Sequence, residues 1–283
     1  MKTVPFEALD PALYREVVRR ALAEDLGWGD VTTEAIVPRG TRARGSIVAR
    51  SPCVIAGLEV AAETFRQMDP ACEFHALLAD GQSCEAGARL AGIQGLASSM
   101  VTAERTALNF LQRLSGVATL TRRFADQAAG RVVVLDTRKT TPTLRALEQY
   151  AVRAGGGANH RATLDDGVLI KANHAALAGG LGEAVRRMKT ADPEMSIEAE
   201  VRSIAEADEA ISAGAHTLVV DRLPIDEIRE IVRRARGRAQ VALAGAIDLE
   251  NLDALAATGA DYVSVGALTL YAPAADLRFD LEP

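Results

Sequence analysis

The stretch Asp136-Thr137-Arg138-Lys139-Thr140-Thr141-Pro142 puts a carboxylate, two cations and three hydroxyls directly after the β-branched run Val132-Val133-Val134-Leu135. The same design recurs down the chain. Gly167-Val168-Leu169-Ile170 ends in Lys171-Ala172-Asn173-His174, the run 197–201 carries Glu198 and Glu200, and Thr217-Leu218-Val219-Val220 ends in Asp221-Arg222. Gln240-Val241-Ala242-Leu243 is followed by Ala244-Gly245-Ala246, and Tyr262-Val263-Ser264-Val265 by Gly266-Ala267. Between the first two runs lies Gly155-Gly156-Gly157-Ala158-Asn159-His160-Arg161, whose glycines permit backbone geometry closed to other residues and so present a His and an Arg. Brought together, Arg105, Arg138, Lys139, Arg161 and Lys171 make a concentrated positive pocket, and arginine pairs bidentately with carboxylate and phosphate oxygens. Glu200 and Asp221 add acids suited to Mg²⁺ or to a developing positive centre. The chemistry is that of a polyanionic substrate.

The elements that must position these groups are read from the alternation itself. From about residue 130, strand-like runs alternate with amphipathic stretches such as Ile204 to Ala213 and Pro224 to Ala235, the pattern of parallel βα units. In such architectures ligands bind at the C-terminal ends of the strands, where every group named above falls except Arg105 and the 155–161 loop. The earlier part differs. Residues 42–60 and 72–95 read as strands, flanked by helices over about 11–25 and 100–125, without βαβ alternation. Two domains follow: residues 1–115, which the tail 271–283 rejoins, and a barrel-like or doubly wound domain over 116–270.

Taken one at a time, these residues have ordinary structural explanations. A triple glycine is a common loop. His75 and His216 read as structural, Asp136 and Glu198 as carboxylates that order backbone, and Arg113, Arg122 and Arg123 as the solvated face of a helix. The joint pattern is what points to a site, because unpaired charge is costly to bury at strand end after strand end.

Composition narrows the class. The chain has 283 residues, 48% hydrophobic and 25% charged, with only 4% aromatic, so its core is built of Ala, Val, Leu and Ile. Net charge is −6 with no basic stripe, which argues against nucleic acid. No apolar run approaches the ~20 residues of a membrane span, and the N-terminus mixes acids and bases without the apolar stretch of a secretory signal. Cys53, Cys72 and Cys84 fit no metal spacing and read as reduced thiols of a cytoplasmic protein.

The motifs resemble those of the quinolinate phosphoribosyltransferase family over essentially the whole chain. They are Leu22-Ala23-Glu24-Asp25-Leu26-Gly27 with Gly29-Asp30-Val31-Thr32-Thr33, Glu104-Arg105-Thr106-Ala107-Leu108-Asn109, the segment 136–142, Gly155 to Arg161, Leu169-Ile170-Lys171, and Ser264-Val265-Gly266-Ala267-Leu268-Thr269. The resemblance implies an α/β fold, with an N-terminal α/β sandwich and an open, seven-stranded TIM-barrel-like domain. It implies transfer of phosphoribosyl from phosphoribosyl pyrophosphate to quinolinate, with decarboxylation to nicotinate mononucleotide. It also implies a homodimer in which Arg105 reaches the partner's active site. By the same resemblance Arg105, Arg138, His160, Arg161 and Lys171 bind the pyridine dicarboxylate, and Lys139 and Lys171 face the sugar donor. Glu200 and Asp221 hold ribose hydroxyls and Mg²⁺. Thr137, Ala244, Gly245, Ala246, Gly266 and Ala267 complete the substrate-binding set.

Four places depart from the family pattern. Ala172 replaces Asp, Arg222 replaces Asn, and Ala242-Leu243-Ala244-Gly245-Ala246 replaces a Glu-Ala-Ser-Gly-Gly phosphate loop. Leu270-Tyr271 stands for His-Ser. They leave open a paralogue acting on another aromatic acid or sugar phosphate, and a non-catalytic ligand-binding homologue. From the residues alone, a Schiff-base aldolase built on Lys171 also stands open.

Overall fold

The computed structural model describes residues 7–282, so the first six residues of the expected N-terminal domain lie outside the described residues. After a 3₁₀ turn at Pro11–Leu13 come α1 (Arg15–Leu26), α2 (Val31–Ile36), β1 (Arg42–Ala49), β2 (Cys53–Val54), α3 (Leu58–Met68), β3 (Glu73–Ala76), β4 (Ser83–Cys84), β5 (Arg89–Leu96) and the long α4 (Ala97–Ala128). Alternation then sets in with β6 (Val133–Leu135), α5 (Arg145–Ala154), β7 (Val168–Ile170), α6 (Ala172–Ala178), α7 (Leu181–Ala191), β8 (Ile197–Val201), α8 (Ile204–Ala213) and β9 (Thr217–Asp221). It continues with α9 (Ile225–Ala235), β10 (Gln240–Ala244), α10 (Leu252–Ala256), β11 (Tyr262–Ser264), α11 (Ala267–Leu270) and a final β12 (Leu277–Glu282). By contacts the chain forms two units. One holds the residues up to Arg122, Thr140–Gly156 and those from Tyr271 onward; the other holds Arg123–Lys139 and Gly157–Leu270.

In the first unit, an antiparallel sheet runs in the order β12-β1-β5-β3. The terminal strand joins it through pairs such as Gly45↔Leu281 and Ile47↔Phe279. Ile47, Phe65, Leu90, Ile93, Met100 and Leu111 form its core. Asp80 organises the start of α3: its carboxylate accepts from Gly57 N at 2.8 Å and Leu58 N at 3.2 Å, and from the Tyr150 hydroxyl at 2.6 Å. Burial, then the charge of Asp80, raises the Tyr150 phenol above its ordinary value. Gly155 is needed for contact rather than for freedom, since a Cβ there would lie 2.4 Å from Ala118 O and 2.5 Å from Thr121 Cβ. Only Gly156 of the triplet, at φ 91°, uses the left-handed region.

In the second unit, a parallel sheet runs β6-β11-β10-β9-β8-β7. Its helices begin and end as their sequences dictate. Ser203 caps α8 by accepting from Glu206 N at 3.1 Å while Glu206 accepts from Arg202 N at 2.7 Å, and Gly214 closes the helix at φ 99°. On α9, Ile228, Ile231 and Ala235 are buried, with Asp226 and Glu227 in the first turn and Arg233 and Arg234 in the last. The register sorts side chains between two faces, because strand residues alternate. Val134, Ile170, Ile197, Ala199, Val201, Leu218, Val220, Val241, Leu243 and Val263 share one face and are all buried. The opposite face carries Glu198, Glu200, Asp221, Ala242, Ala244 and Ser264.

The barrel-like α/β architecture is as expected, with one correction to its strand count. Six strands are hydrogen-bonded in the parallel sheet among the described residues, and the position of a seventh is held by a single parallel bridge, Leu135↔Ala158. The strand cannot lengthen there because the next amide, His160 N, is taken at 2.7 Å by the Asp136 carboxylate. Among the described residues no helix is long and apolar enough to cross a membrane.

Candidate active site

The second unit gathers most of the chemistry-bearing residues at the C-terminal ends of its strands. Asp136, fully buried, is the anchor. Its two carboxylate oxygens accept from His160 N at 2.7 Å and from Asn159 Nδ2 at 2.6 Å, and its own amide donates to Ala158 O at 3.1 Å. One side chain thereby fixes the segment that delivers His160 and Arg161. The His160 ring then meets Glu198, Nε2 to Oε2 at 2.7 Å, both largely shielded from water. Arg161 is steadied by donating from Nη1 to Gly167 O at 2.7 Å. Its guanidinium is held below the ordinary arginine value by burial first, then by the positive charge of Arg138, with Glu198 pulling the other way. The two guanidiniums are thus within electrostatic reach of each other and concentrate positive charge at this end of the sheet.

Lys139 approaches from the end of β6. Its amide donates to Thr137 Oγ1 at 3.2 Å, and its carbonyl accepts from the buried Thr269 hydroxyl at 2.6 Å. The side chain runs along Gly266, where a Cβ would stand 3.3 Å from Lys139 Cδ and 3.8 Å from Thr137 Oγ1. Thr137, Lys139 and Gly266 are therefore one packed group, and Ala267 follows as the first residue of α11. Lys171 leads into α6, where its amide donates to His174 Nδ1 at 3.0 Å. It is exposed, not enclosed in the apolar pocket that would activate an amine nucleophile, so nothing around it favours the Schiff-base reading. Glu200 and Asp221 project from neighbouring strands β8 and β9 on the polar face, both partly open to solvent. Glu200 also lines a cleft of about 350 Å³ with Ala172, Ala176 and Arg202.

Beside Asp221, the backbone of Arg222 takes φ 54° and that of Gly245 φ 116°. Asn or Gly is the favoured residue in that region, which gives a physical reason for the Asn expected at position 222. Ala244 and Ala246 bring no side-chain donor to their loop. Arg105 lies on the exposed side of α4, in the first unit.

Two expectations about helix α4 are corrected. Arg113 is not on a solvated face: Nε and Nη2 donate to Oε1 of the fully buried Glu148 at 3.0 and 2.8 Å, and Nη1 donates to Ala272 O. Arg122 donates from Nε to Gly155 O at 3.0 Å, and from Nη2 to Gly81 O and Ala154 O. Both arginines satisfy carbonyls or a carboxylate brought from far along the chain. Thr269 and His174 stand within motifs quoted above, but the sequence does not display that each braces its lysine through a backbone group, the Lys139 carbonyl and the Lys171 amide. His216 is structural as expected, its Nδ1 accepting from Ile197 N at 3.0 Å.

A parallel α/β domain with paired arginines, lysines and carboxylates at its strand ends defines a class of enzymes acting on polyanions. Comparison with known proteins gives the family. Residues 30–115 match the quinolinate phosphoribosyl transferase N-terminal domain and residues 117–280 its C-terminal domain. The nicotinate-nucleotide pyrophosphorylase [carboxylating] of Mycobacterium leprae is 41% identical over 94% of this chain and 96% of its own length. A probable enzyme of the same name from Bacillus subtilis is 37% identical over 94% and 93%. Among solved structures, the nicotinate-nucleotide pyrophosphorylase of Francisella tularensis superposes with a TM-score of 0.92 at 35% identity, covering 98% of this chain and 99% of that one. The chain belongs to the quinolinate phosphoribosyltransferase family.

Proposed function

We propose that this enzyme transfers the phosphoribosyl group of phosphoribosyl pyrophosphate to quinolinate, releasing pyrophosphate and CO₂ and forming nicotinate mononucleotide for NAD biosynthesis. The observation that carries the reading is the segment Asn159-His160-Arg161, pinned by the buried Asp136 carboxylate and by the 2.7 Å contact of His160 with Glu198 at the strand ends where Arg138 also stands. That arrangement fits a flat dicarboxylate, with one carboxylate to each guanidinium.

The chain's own residues then account for the reaction by position and charge. The arginines hold the pyridine ring so that its nitrogen faces the anomeric carbon. As the bond to pyrophosphate breaks, positive charge grows on the ribose ring, where Glu200 and Asp221 on the polar face stabilise it. Lys139 and Lys171 answer the negative charge of the leaving pyrophosphate. The nitrogen, once quaternised, stabilises the electron pair left on the adjacent ring carbon as that carbon's carboxylate departs as CO₂, and the carbon then takes a proton from solvent, with no covalent bond to the enzyme.

Mg²⁺ belongs to this proposal. Glu200 and Asp221 are hard oxygen donors on adjacent strands, and such ions are commonly held by one or two carboxylates plus substrate phosphates. Bound there, the ion would neutralise charge on pyrophosphate. We further propose a cytoplasmic homodimer in which Arg105 serves the partner's site. The exposure of Arg105 and three thiols that form no disulfide support this reading. The test is product formation from quinolinate, phosphoribosyl pyrophosphate and Mg²⁺, read by chromatography and CO₂ release. Turnover lost in Lys139→Ala supports the assignment. Quinolinate bound without turnover points to a different donor, and failure to bind quinolinate overturns it.

A further inference from the structure

β9 and β10 run in register as far as Asp221↔Ala244, and one residue later both backbones break into positive φ together, at Arg222 and Gly245. For glycine this costs little. For arginine it is strained, and the local bonds return little of that strain. The Arg222 amide reaches Ala244 O only at 3.4 Å, and Nε stands 3.8 Å from Asp221 Oδ1 with the side chain 77% exposed. Yet the side chain is placed. Its stem lies over Gly245, where a Cβ would come within 2.7 Å of Arg222 Cγ and 3.2 Å of Asp221 Oδ1. The loop beneath, Ala244-Gly245-Ala246, offers backbone but no hydroxyl. On its other side the next strand, β11, leads to Gly266, along which Lys139 runs.

We propose that Arg222 is a specificity-determining residue that binds the phosphomonoester group of the sugar-phosphate donor, its guanidinium closing over the 244–246 loop. The inference rests on the phosphoribosyl-transfer reading and deepens it. A guanidinium offers two parallel donors to one phosphoryl group, which suits a terminal phosphate better than a metal-bridged pyrophosphate. A lysine in the same place would supply charge without the fork.

The experiment is binding of ribose 5-phosphate, pyrophosphate and quinolinate, each separately, to the full-length enzyme and to Arg222→Asn and Arg222→Lys. Asn accepts positive φ, so folding is preserved. Ribose 5-phosphate affinity should fall about 10- to 100-fold in Arg222→Asn and recover in part in Arg222→Lys. Quinolinate and pyrophosphate affinities should stay unchanged, and the KM for phosphoribosyl pyrophosphate should rise with kcat nearly constant. Unchanged ribose 5-phosphate affinity in Arg222→Asn overturns the inference, as does a loss confined to pyrophosphate. Either result in an enzyme that turns over quinolinate leaves the parent reading intact. A wild-type enzyme that neither binds nor turns over quinolinate defeats the parent reading instead.

Discussion

Arg138 and Arg161 lie within electrostatic reach of each other, so on the proposed reading removing one should be felt in binding before it is felt in folding. Arg138→Ala is expected to weaken quinolinate binding about 10- to 100-fold by calorimetry, the value of a charge-assisted pair, with the circular dichroism spectrum unchanged. Unaltered affinity would dismiss the pocket. The cysteines make a contrasting case. Burial pushes the Cys53 thiol up to about 12, aided by a hydrogen bond to Cys84 at 3.5 Å. Buried and held protonated at pH 8, the Cys53 thiol should be left untouched by alkylating reagents until the protein is denatured. The sign for stability follows. Unfolded, the thiol ionises near 9.0, so its contribution is complete below that value and is lost as pH rises toward about 12. Rapid native-state labelling of Cys53 would contradict the burial. At this scale the sequence displayed the position of the charged groups well, since Arg138, Lys139, Lys171, Glu200 and Asp221 stand at or just beyond strand ends that periodicity alone locates. It did not display their supports, because Thr269 and His174 act on backbone atoms whose position only the fold sets.

Among the elements, α4 and α5 show what pattern reading misses. Arg113 and Arg122 have the look of an exposed helical stripe, and only the return of residues 140–156 to the first unit supplies Glu148 and the carbonyl of Gly155 as their partners. Glu148 also accepts from Thr141 N at 3.0 Å and Thr141 Oγ1 at 2.7 Å. Arg113→Met strands this fully buried carboxylate and should cost about 3 kcal/mol in denaturant unfolding. Gly155→Ala meets no backbone conformational barrier, because φ is −74°, but its methyl runs into Ala118 O. A loss of about 1–3 kcal/mol is expected from overpacking, and an unchanged melting temperature would mean that α5 can shift. The strands of the second unit were legible to within a residue or so at their ends: Ile197 to Val201 was read as it stands, and Thr217 to Val220 gained only Asp221. The reduction of a seventh strand to the Ala158 bridge was not legible, because it follows from Asp136 claiming the next amide.

For the whole molecule, the proposed sharing of Arg105 between protomers has a distinctive outcome. Arg105→Ala and Lys139→Ala should each be inactive alone. If sites are built across the dimer, mixing and re-equilibrating the two should restore about a quarter of wild-type turnover, since half the dimers are mixed and each carries one complete site. No recovery, with mixed dimers demonstrated by mass spectrometry, would place Arg105 in its own protomer's site or outside any site. The parallel sheet carries a further lesson for anyone improving this protein. Its apolar face is already close-packed, whereas its opposite face carries Glu198, Glu200 and Asp221 on adjacent strands, the last two at the centre of the proposed chemistry. Directed evolution toward heat resistance would find its easiest gains there by neutralising Glu200 and Asp221, since Glu198 is held at 2.7 Å by His160, so a screen that scores survival without turnover would breed hardier and emptier enzymes.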